Sequence, residues 1–178
     1  METSVVFAGF GGQGLLFAGT VLAQAAMRED LDVLWIPSYG PEMRGGTASC
    51  TVIVADRPIG SPTVDEADAV VALNPPSLAK FESIVAPGGL LVCNTTLIEA
   101  EPTRRDIEIA AVPCTALAKT AGDDRLVSVV ALGALLGRRR SGVGPSRRAA
   151  ERALPGPAGS GRSWTVGLAS SWPRRVDE

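Results

Sequence analysis

The sequence predicts an α/β protein, a three-layer α/β/α Rossmann-like sandwich with a mostly parallel sheet. Short runs rich in β-branched residues alternate along the chain with longer runs rich in Ala and Leu. Gly and Pro cluster at the boundaries between these runs, and 46% of the 178 residues are hydrophobic, enough for a proper core. Strands that alternate with helices at this spacing are typical of a parallel sheet covered by helices on both faces.

The first part of the chain provides three strands and one helix. The run SVVFAG predicts a buried strand over residues 4–9, and the Ala- and Leu-rich run that follows predicts a helix from Gly14 to about Arg28. A second strand is expected over residues 32–37, ending at Pro37. The segment TASCTVIVAD, residues 47–56, alternates well enough to predict a half-exposed strand.

The second part continues the alternation. ADAVVALN, residues 67–74, predicts a buried strand, and PPSLAKFESIVAPGG predicts a helix with prolines at its start and Pro-Gly-Gly at its end. LLVCNTT and DIEIAAVP predict two further strands. CTALAKTAG and DRLVSVVALGALLG predict helical segments, and we expect the second of these to be buried because it is almost entirely apolar.

Composition changes abruptly at residue 137. Residues 1–136 carry 8 Lys and Arg against 16 Asp and Glu, whereas residues 137–178 carry 9 Arg against 3 acidic residues. We expect one α/β domain over residues 1–137 and an atypical Arg/Gly/Pro-rich tail over 138–178, in which only RRAAERAL favours a helical turn. Two interpretations of the tail stay open, a disordered basic segment and a reading frame shifted near codon 137.

Several chemistries are excluded by residues that the chain lacks. It contains no histidine and no C-x-x-C motif, which removes imidazole catalysis and leaves no ligand pattern for an iron–sulfur cluster or zinc. We therefore expect no catalytic residue, metal or cofactor in this chain, and Cys50, Cys93 and Cys114 are expected to be small buried residues. The acidic first part argues against nucleic-acid binding. The absence of a membrane-length apolar run and of a basic leader predicts a cytoplasmic protein with no membrane association.

The first candidate site is the glycine-rich turn GFGGQG that follows the first strand. Its residues Gly9, Gly11, Gly12, Gln13 and Gly14 fit the spacing G-x-G-x-x-G of a dinucleotide-binding turn. A turn of this kind directs the first N–H groups of the next helix at one point and favours an anion there. A nicotinamide site also needs a carboxylate at the end of the second strand, and this strand ends Trp-Ile-Pro-Ser. The amide of Gln13 is expected to bond to a neighbouring residue or a ligand.

The second candidate site is the segment SYGPEMRGG, which leaves the end of the second strand. In a parallel sheet it should lie at the same edge as the glycine-rich turn. Two interpretations are open: a structural loop with a solvated Glu42–Arg44 ion pair, or a docking or ligand-contact surface. The candidate contact residues are Tyr39, Gly40, Pro41, Glu42, Arg44, Gly45 and Gly46.

Together, GFGGQG and PSYGPEMRGGTASC resemble the gamma subunit, or gamma domain, of the 2-oxoacid:ferredoxin oxidoreductases that act on pyruvate, 2-oxoglutarate, 2-ketoisovalerate or indolepyruvate. The resemblance continues through ADAVVALNPPSLAKFESIVAPGGLLVCNTT and ends near VVALGALLG, so that it covers about the first 137 residues. The family usually has an Asn-Met pair where this chain has Ser128-Val129, and it usually ends in further helices where this chain has the arginine-rich tail.

The resemblance implies a non-catalytic subunit with an α/β/α fold. Complexes of this family decarboxylate a 2-oxoacid on thiamine diphosphate with Mg²⁺, pass electrons through iron–sulfur clusters to ferredoxin, and release acyl-CoA. Alpha and beta subunits hold the thiamine cofactor, and beta or delta subunits hold the clusters. The implied role of the gamma unit is assembly and shaping of the region where CoA approaches, so the isolated chain should be inactive. The two alternatives are a stand-alone Rossmann-type enzyme that binds NAD(P) or FAD, and an assembly module with no enzyme association.

Overall fold

The structure, a computed structural model, describes residues 2–39 and 47–138, together with Ala149, Ala150 and Ala153. Six strands form one sheet in the order β2-β3-β1-β4-β5-β6. The strands are β1 (Glu2–Phe10), β2 (Asp32–Tyr39), β3 (Thr47–Ala55), β4 (Ala67–Ala72), β5 (Val85–Asn94) and β6 (Glu108–Val112). The helices in this part of the chain are α1 (Leu15–Met27), α2 (Pro75–Phe81), α3 (Cys114–Thr120) and α4 (Val127–Arg138), with short 3-10 turns at Glu82–Ile84 and Asp124–Leu126.

The sheet is mostly parallel, as the sequence predicts. β4 lies parallel to β1, β5 to β4, and β6 to β5. β3 is the exception, because it pairs antiparallel with both β1 and β2. Five of the six strands therefore run in one direction, and their carboxyl ends meet at one edge, which we call the carboxyl edge.

Apolar side chains fill both faces of the sheet, as expected of the predicted sandwich. The sheet therefore has one core on each face. Val5 of β1 belongs to the core beneath α1 and α4, and its neighbour Val6 belongs to the core beneath α2. The larger core contains most of α4, including Ala131 and Leu135, each 0% exposed, so the prediction that this helix is buried is confirmed.

Two predictions about strands were wrong in detail. β2 continues past Pro37 to Tyr39, with Pro37 opposite Cys50 of β3. An edge strand can contain a proline whose missing N–H would point away from the neighbouring strand. β3 is less exposed than its alternating sequence indicates, because it lies between β1 and β2, and its second half, from Val52 to Ala55, is buried on both faces.

The predicted boundary between the second helix and the fifth strand was also wrong. α2 ends at Phe81, and β5 already begins at Val85, so the Pro-Gly-Gly of residues 87–89 lies within the strand instead of ending the helix. The register between β4 and β5 shifts over this stretch. Gly89 is required there, since a Cβ at this position would lie 2.9 Å from the carbonyl oxygen of Asp68.

The expected tail is described at four residues, of which Arg138 is the last residue of α4. Ala149, Ala150 and Ala153 are helical and buried in the larger core, at the place where RRAAERAL favours a helical turn. Residues 139–148, 151–152 and 154–178 lie outside the described residues, and the boundary at residue 137 stays a prediction. Among the helices that the structure does describe, none is long and apolar enough to span a bilayer.

Candidate functional site

The two candidate segments leave the sheet side by side. Phe10, the last residue of β1, pairs with Thr47, the first residue of β3, and Tyr39 at the end of β2 pairs with Ala48. The glycine-rich turn and the ends of the second segment therefore lie at the carboxyl edge, as expected. The route differs from the expected one, because β2 and β3 form an antiparallel hairpin whose connection is the second segment.

The described residues include only the start of the second segment, residues 38 and 39. The backbone of Tyr39 belongs to β2, whereas Gly40, Pro41, Glu42, Arg44, Gly45 and Gly46 lie outside the described residues. Their roles stay predictions. The glycine-rich turn, by contrast, is described completely.

A change of direction in the sheet puts the glycine-rich turn at a topological switch point. The chain leaves β1 towards β2 on one side of the sheet and leaves β4 towards β5 on the other side. In open α/β sheets, ligands bind in the crevice outside the carboxyl ends of the strands at such a point. The residues that follow β1 and β4 therefore form the candidate site.

The turn has a backbone that requires glycine. The N–H of Gln13 donates to the carbonyl oxygen of Phe10 at 3.2 Å, and this bond closes a four-residue turn. Gly12 has φ 95° and Gly14, the N-cap of α1, has φ 78°. Both values lie in the left-handed region, where an L-residue with a side chain is strained. A Cβ at Gly12 would meet nothing within 4 Å, so conformation and not space excludes a side chain there.

The Gln13 amide lies over β1 and contacts the chain itself. Its Oε1 accepts a 2.7 Å hydrogen bond from the N–H of Phe10, and its Nε2 lies 3.5 Å from the carbonyl oxygen of Leu73, just after β4. A Cβ at Gly9 would lie 2.5 Å from this Oε1. Gly9 therefore makes room for the amide of Gln13. The expected hydrogen bond to a neighbouring residue is present.

Two buried asparagines extend this arrangement to the next strands, and the sequence analysis missed both. Asn94, at the end of β5, donates through Nδ2 to the carbonyl oxygen of Leu73 at 3.2 Å and to Oγ1 of Thr115 at 3.0 Å. Its Oδ1 accepts from the N–H of Thr115 at 3.2 Å, which joins β5 to the start of α3. Asn74, after β4, caps α2 by accepting from the N–H of Ser77 at 2.9 Å, and its Nδ2 is 3.5 Å from Oε1 of Gln13.

Signals for these residues are visible in the sequence in retrospect. Asn74 directly precedes Pro-Pro-Ser at the start of a helix, which is a typical N-cap position. Asn94 ends an otherwise apolar strand, and both asparagines are 0% exposed. A polar residue at the buried end of a strand needs hydrogen-bond partners, so it is a candidate for a network of this kind.

The topology argues further against a dinucleotide site. In the doubly wound dinucleotide-binding fold, the second strand lies directly beside the first and carries the carboxylate that holds the ribose. Here β3 separates β1 from β2 and runs antiparallel to both. The amide of Gln13 also lies beside Leu73 at the switch point. The glycine spacing therefore occurs in a sheet with a different strand order.

The cysteines do not fit an iron–sulfur cluster. Cys50 lies on β3 and Cys93 on β5, in different cores on opposite faces of the sheet. Burial raises the pKa of the Cys50 and Cys93 thiols to about 11 and the pKa of the Cys114 thiol to about 12. Cluster ligands are thiolates that converge on one point. Cys50 and Cys93 lie on opposite faces of the sheet, so the three thiols do not converge on one point.

Comparison with known proteins decides the family. Residues 4–158 match the sequence profile of the family described as pyruvate ferredoxin/flavodoxin oxidoreductase. The chain belongs to this family. The resemblance found in the two glycine-rich segments is thereby confirmed.

Relatives within the family include subunits of different specificity. The ketoisovalerate oxidoreductase subunit VorA of Methanothermobacter thermautotrophicus is 42% identical over 142 residues, which cover 80% of this chain and 29% of VorA. This chain thus spans under a third of that relative's length. The 2-oxoglutarate synthase subunit KorC of the same organism is 34% identical over 161 residues, covering 86% of this chain and 84% of KorC.

Solved structures of the family share the fold. The gamma subunit of a keto/oxoacid ferredoxin oxidoreductase from Geobacter sulfurreducens has 31% sequence identity and a TM-score of 0.71, with 85% of this chain and 83% of that chain covered. A 2-oxoglutarate:ferredoxin oxidoreductase from Magnetococcus marinus has a TM-score of 0.75 at 23% identity, with 85% of this chain and 26% of that chain covered. At 23% identity, the similarity to the Magnetococcus structure is a similarity of fold.

Proposed function

We propose that this chain is the gamma-type subunit of a 2-oxoacid:ferredoxin oxidoreductase complex, which oxidatively decarboxylates a 2-oxoacid to an acyl-CoA. The observation that carries the proposal is the length of the match between this chain and gamma-type subunits. The family profile covers residues 4–158, and the Geobacter gamma subunit and KorC are each matched over more than four fifths of their own length. The likeness therefore extends over most of a gamma-type unit and is not confined to the glycine motif.

The redox groups of the complex belong, in this proposal, to partner chains. Thiamine diphosphate and Mg²⁺ are bound by alpha and beta subunits, and iron–sulfur clusters are bound by a cluster-bearing subunit that reduces ferredoxin. CoA is a co-substrate of the complex. The cysteines of the described part support this division because they do not all converge on one point, and the isolated chain is inactive in this account.

The contact surface for the partners is the carboxyl edge. Gly9, Gly11, Gly12, Gln13 and Gly14 form its first segment, and Tyr39, Gly40, Pro41, Glu42, Arg44, Gly45 and Gly46 form its second. Two exposed apolar side chains support a contact role: Phe17 in the first turn of α1 is 39% exposed, and Leu97, three residues after the end of β5 at the carboxyl edge, is 41% exposed. Aromatic side chains such as Phe17 are enriched at the centres of protein interfaces, where charged residues are depleted.

Anaerobic affinity purification of the tagged full chain from its native host tests the proposal. We expect subunits that bind thiamine diphosphate and subunits that carry clusters to be retained and identified by mass. Purification under the same conditions with a tagged unrelated protein provides the control. Recovery of the chain with no such partners would contradict the proposed function.

A further inference from the structure

The hydrogen bonds of the Gln13 side chain are made within this chain. Its Oε1 is engaged with the N–H of Phe10 at 2.7 Å, and its Nε2 faces the carbonyl oxygen of Leu73 at 3.5 Å. The side chain is thus turned back over β1, towards the space that Gly9 leaves for it. The groups of the turn that face outwards are those of Gly11 and Gly12, which are both exposed.

The Gln13 side chain adds a second hydrogen bond between Phe10 and Gln13, the two residues at the ends of the turn. The N–H of Gln13 donates to the carbonyl oxygen of Phe10 at 3.2 Å, while the N–H of Phe10 donates to the Gln13 side chain. This reciprocal pair holds the two residues that flank Gly11 and Gly12. A turn with Gly12 and Gly14 at positive φ has many alternative conformations in the free chain, so a constraint at both of its ends selects one of them.

The contacts of the Gln13 side chain with Phe10 and with Leu73 form a brace between β1 and the residue after β4. The Leu73 end of this brace is anchored in the core. The N–H of Leu73 donates to the carbonyl oxygen of Ala8 at 2.9 Å, and the carbonyl oxygen of Leu73 accepts from the buried Asn94 at 3.2 Å. The acceptor that faces Gln13 is therefore fixed by two neighbouring strands. Gln13 is therefore connected through Leu73 to β1 and β5 as well as to the turn.

We propose that Gln13 is a positioning residue, which holds the Gly11–Gly12 backbone in the conformation that a partner subunit recognises. This inference rests on the proposed function. It specifies that the backbone of the turn makes the contact and that the Gln13 side chain acts through it.

Two substitutions at Gln13 separate positioning from direct contact. Gln13→Met keeps the length of the side chain and removes the acceptor for the N–H of Phe10. Gln13→Glu keeps that acceptor and replaces the Nε2 that faces the carbonyl oxygen of Leu73 with an oxygen, so it removes only this weaker contact. Ser4→Ala is the matched control, since Ser4 and Asp68 join β1 to β4 at the opposite edge of the sheet through a 3.2 Å side-chain bond.

Two measurements are made on each variant of the full chain. The first is hydrogen exchange of the Phe10 amide by NMR, which reports the brace without any partner. The second is the affinity of the chain for the remaining subunits of the complex. For Gln13→Met we expect exchange at Phe10 to be about fivefold to tenfold faster and affinity to fall about tenfold. For Gln13→Glu we expect Phe10 exchange to stay within about threefold of the wild-type value and the loss of affinity to be smaller than in Gln13→Met, and for Ser4→Ala we expect both quantities to stay within about threefold.

Each result decides one question. Unchanged Phe10 exchange in Gln13→Met would overturn the positioning role, whatever happens to affinity. A loss of affinity in Gln13→Glu that equals or exceeds the loss in Gln13→Met, with Phe10 still protected, would assign Gln13 a direct contact and would also overturn it. If exchange follows the expected pattern while the wild-type chain binds no partner subunit, the brace is supported and the proposed function fails.

Discussion

Phe10 and Gln13 exchange two hydrogen bonds across the glycine-rich turn, one between backbone groups and one from the Phe10 N–H to the Gln13 side chain. Gly9 makes the second bond possible, because a Cβ there would lie 2.5 Å from Oε1 of Gln13. These two hydrogen bonds explain why residue 9, directly before the four-residue turn from Phe10 to Gln13, is also a glycine.

A double-mutant cycle tests this relationship. Gln13→Ala should lower the free energy of unfolding by about 1 kcal/mol. Gly9→Ala should lower it by about 2 kcal/mol, because the new methyl group displaces the amide and also lies 3.2 Å from Leu73 and Leu15 atoms. The double variant should lose about 1 kcal/mol less than the sum, since both changes remove one interaction. Denaturant unfolding measures all four proteins, and additivity would show that the two residues do not interact.

Asn94 should be among the most sensitive polar residues of the carboxyl edge. Asn94→Ala leaves the carbonyl oxygen of Leu73 without its shorter side-chain donor and the N–H of Thr115 without its acceptor. We expect a loss of about 2–3 kcal/mol in the free energy of unfolding. Thr96→Ala is the control, because Thr96 accepts a single 3.2 Å bond from the Ala116 N–H at an exposed position. Equal losses in the two variants would contradict the importance of the buried network.

Gly19 allows α1 to approach β2 and β3. A Cβ at this position would lie 2.9 Å from Nε1 of Trp35 and would collide with Sγ of Cys50. Gly19→Ala should therefore destabilise the protein by about 2 kcal/mol, and Cys50→Ala in the same chain should restore part of that loss. Gly60→Ala, where a Cβ would meet nothing within 4 Å, should change stability by less than about 0.5 kcal/mol. Thermal or denaturant unfolding would contradict the account if Gly19→Ala were as mild as Gly60→Ala.

The buried cysteines predict a pH dependence of stability. Burial raises the pKa of Cys50 and Cys93 to about 11 and that of Cys114 to about 12, above the value of 9.0 for an accessible thiol. Above pH 9 the unfolded chain loses thiol protons that the folded chain retains, so stability should fall as pH rises from 9 towards 11. Replacing the three cysteines with Ala should flatten this part of the profile. An unchanged slope in the triple variant would show that the thiols do not cause it.

The local elements were predictable, whereas the contacts between distant elements were not. The strand, turn and helix of residues 2–27 follow from local pattern and glycine spacing, and their observed limits differ from the predicted ones by only a few residues. The antiparallel pairing of β3 depends on strands on both of its sides. Gln13 meets Leu73 across 60 residues of sequence, and Gly19 meets Trp35 and Cys50 on other strands. Pattern in one segment carries no information about such partners.

Arg44 lies outside the described residues, and its role is a prediction from the family motif. Arg44→Ala should weaken assembly of the complex or raise the KM for CoA, because a guanidinium pairs with a phosphate or a carboxylate of a partner. Arg57→Ala, in the turn after β3 at the opposite edge of the sheet, is the matched control and should change neither. Assembly and CoA kinetics that are unchanged in Arg44→Ala would remove any functional role for this residue.

The most direct test of the central claim is reconstitution of the complex with and without this chain. The thiamine diphosphate-binding and cluster-bearing partner subunits are assayed anaerobically for CoA-dependent reduction of a viologen dye by pyruvate, 2-ketoisovalerate, 2-oxoglutarate and indolepyruvate in turn. The account predicts dye reduction with one class of acid when the chain is present and little or none when it is omitted. Full activity without the chain, or no activity and no assembly with it, would contradict its assignment as the gamma-type subunit.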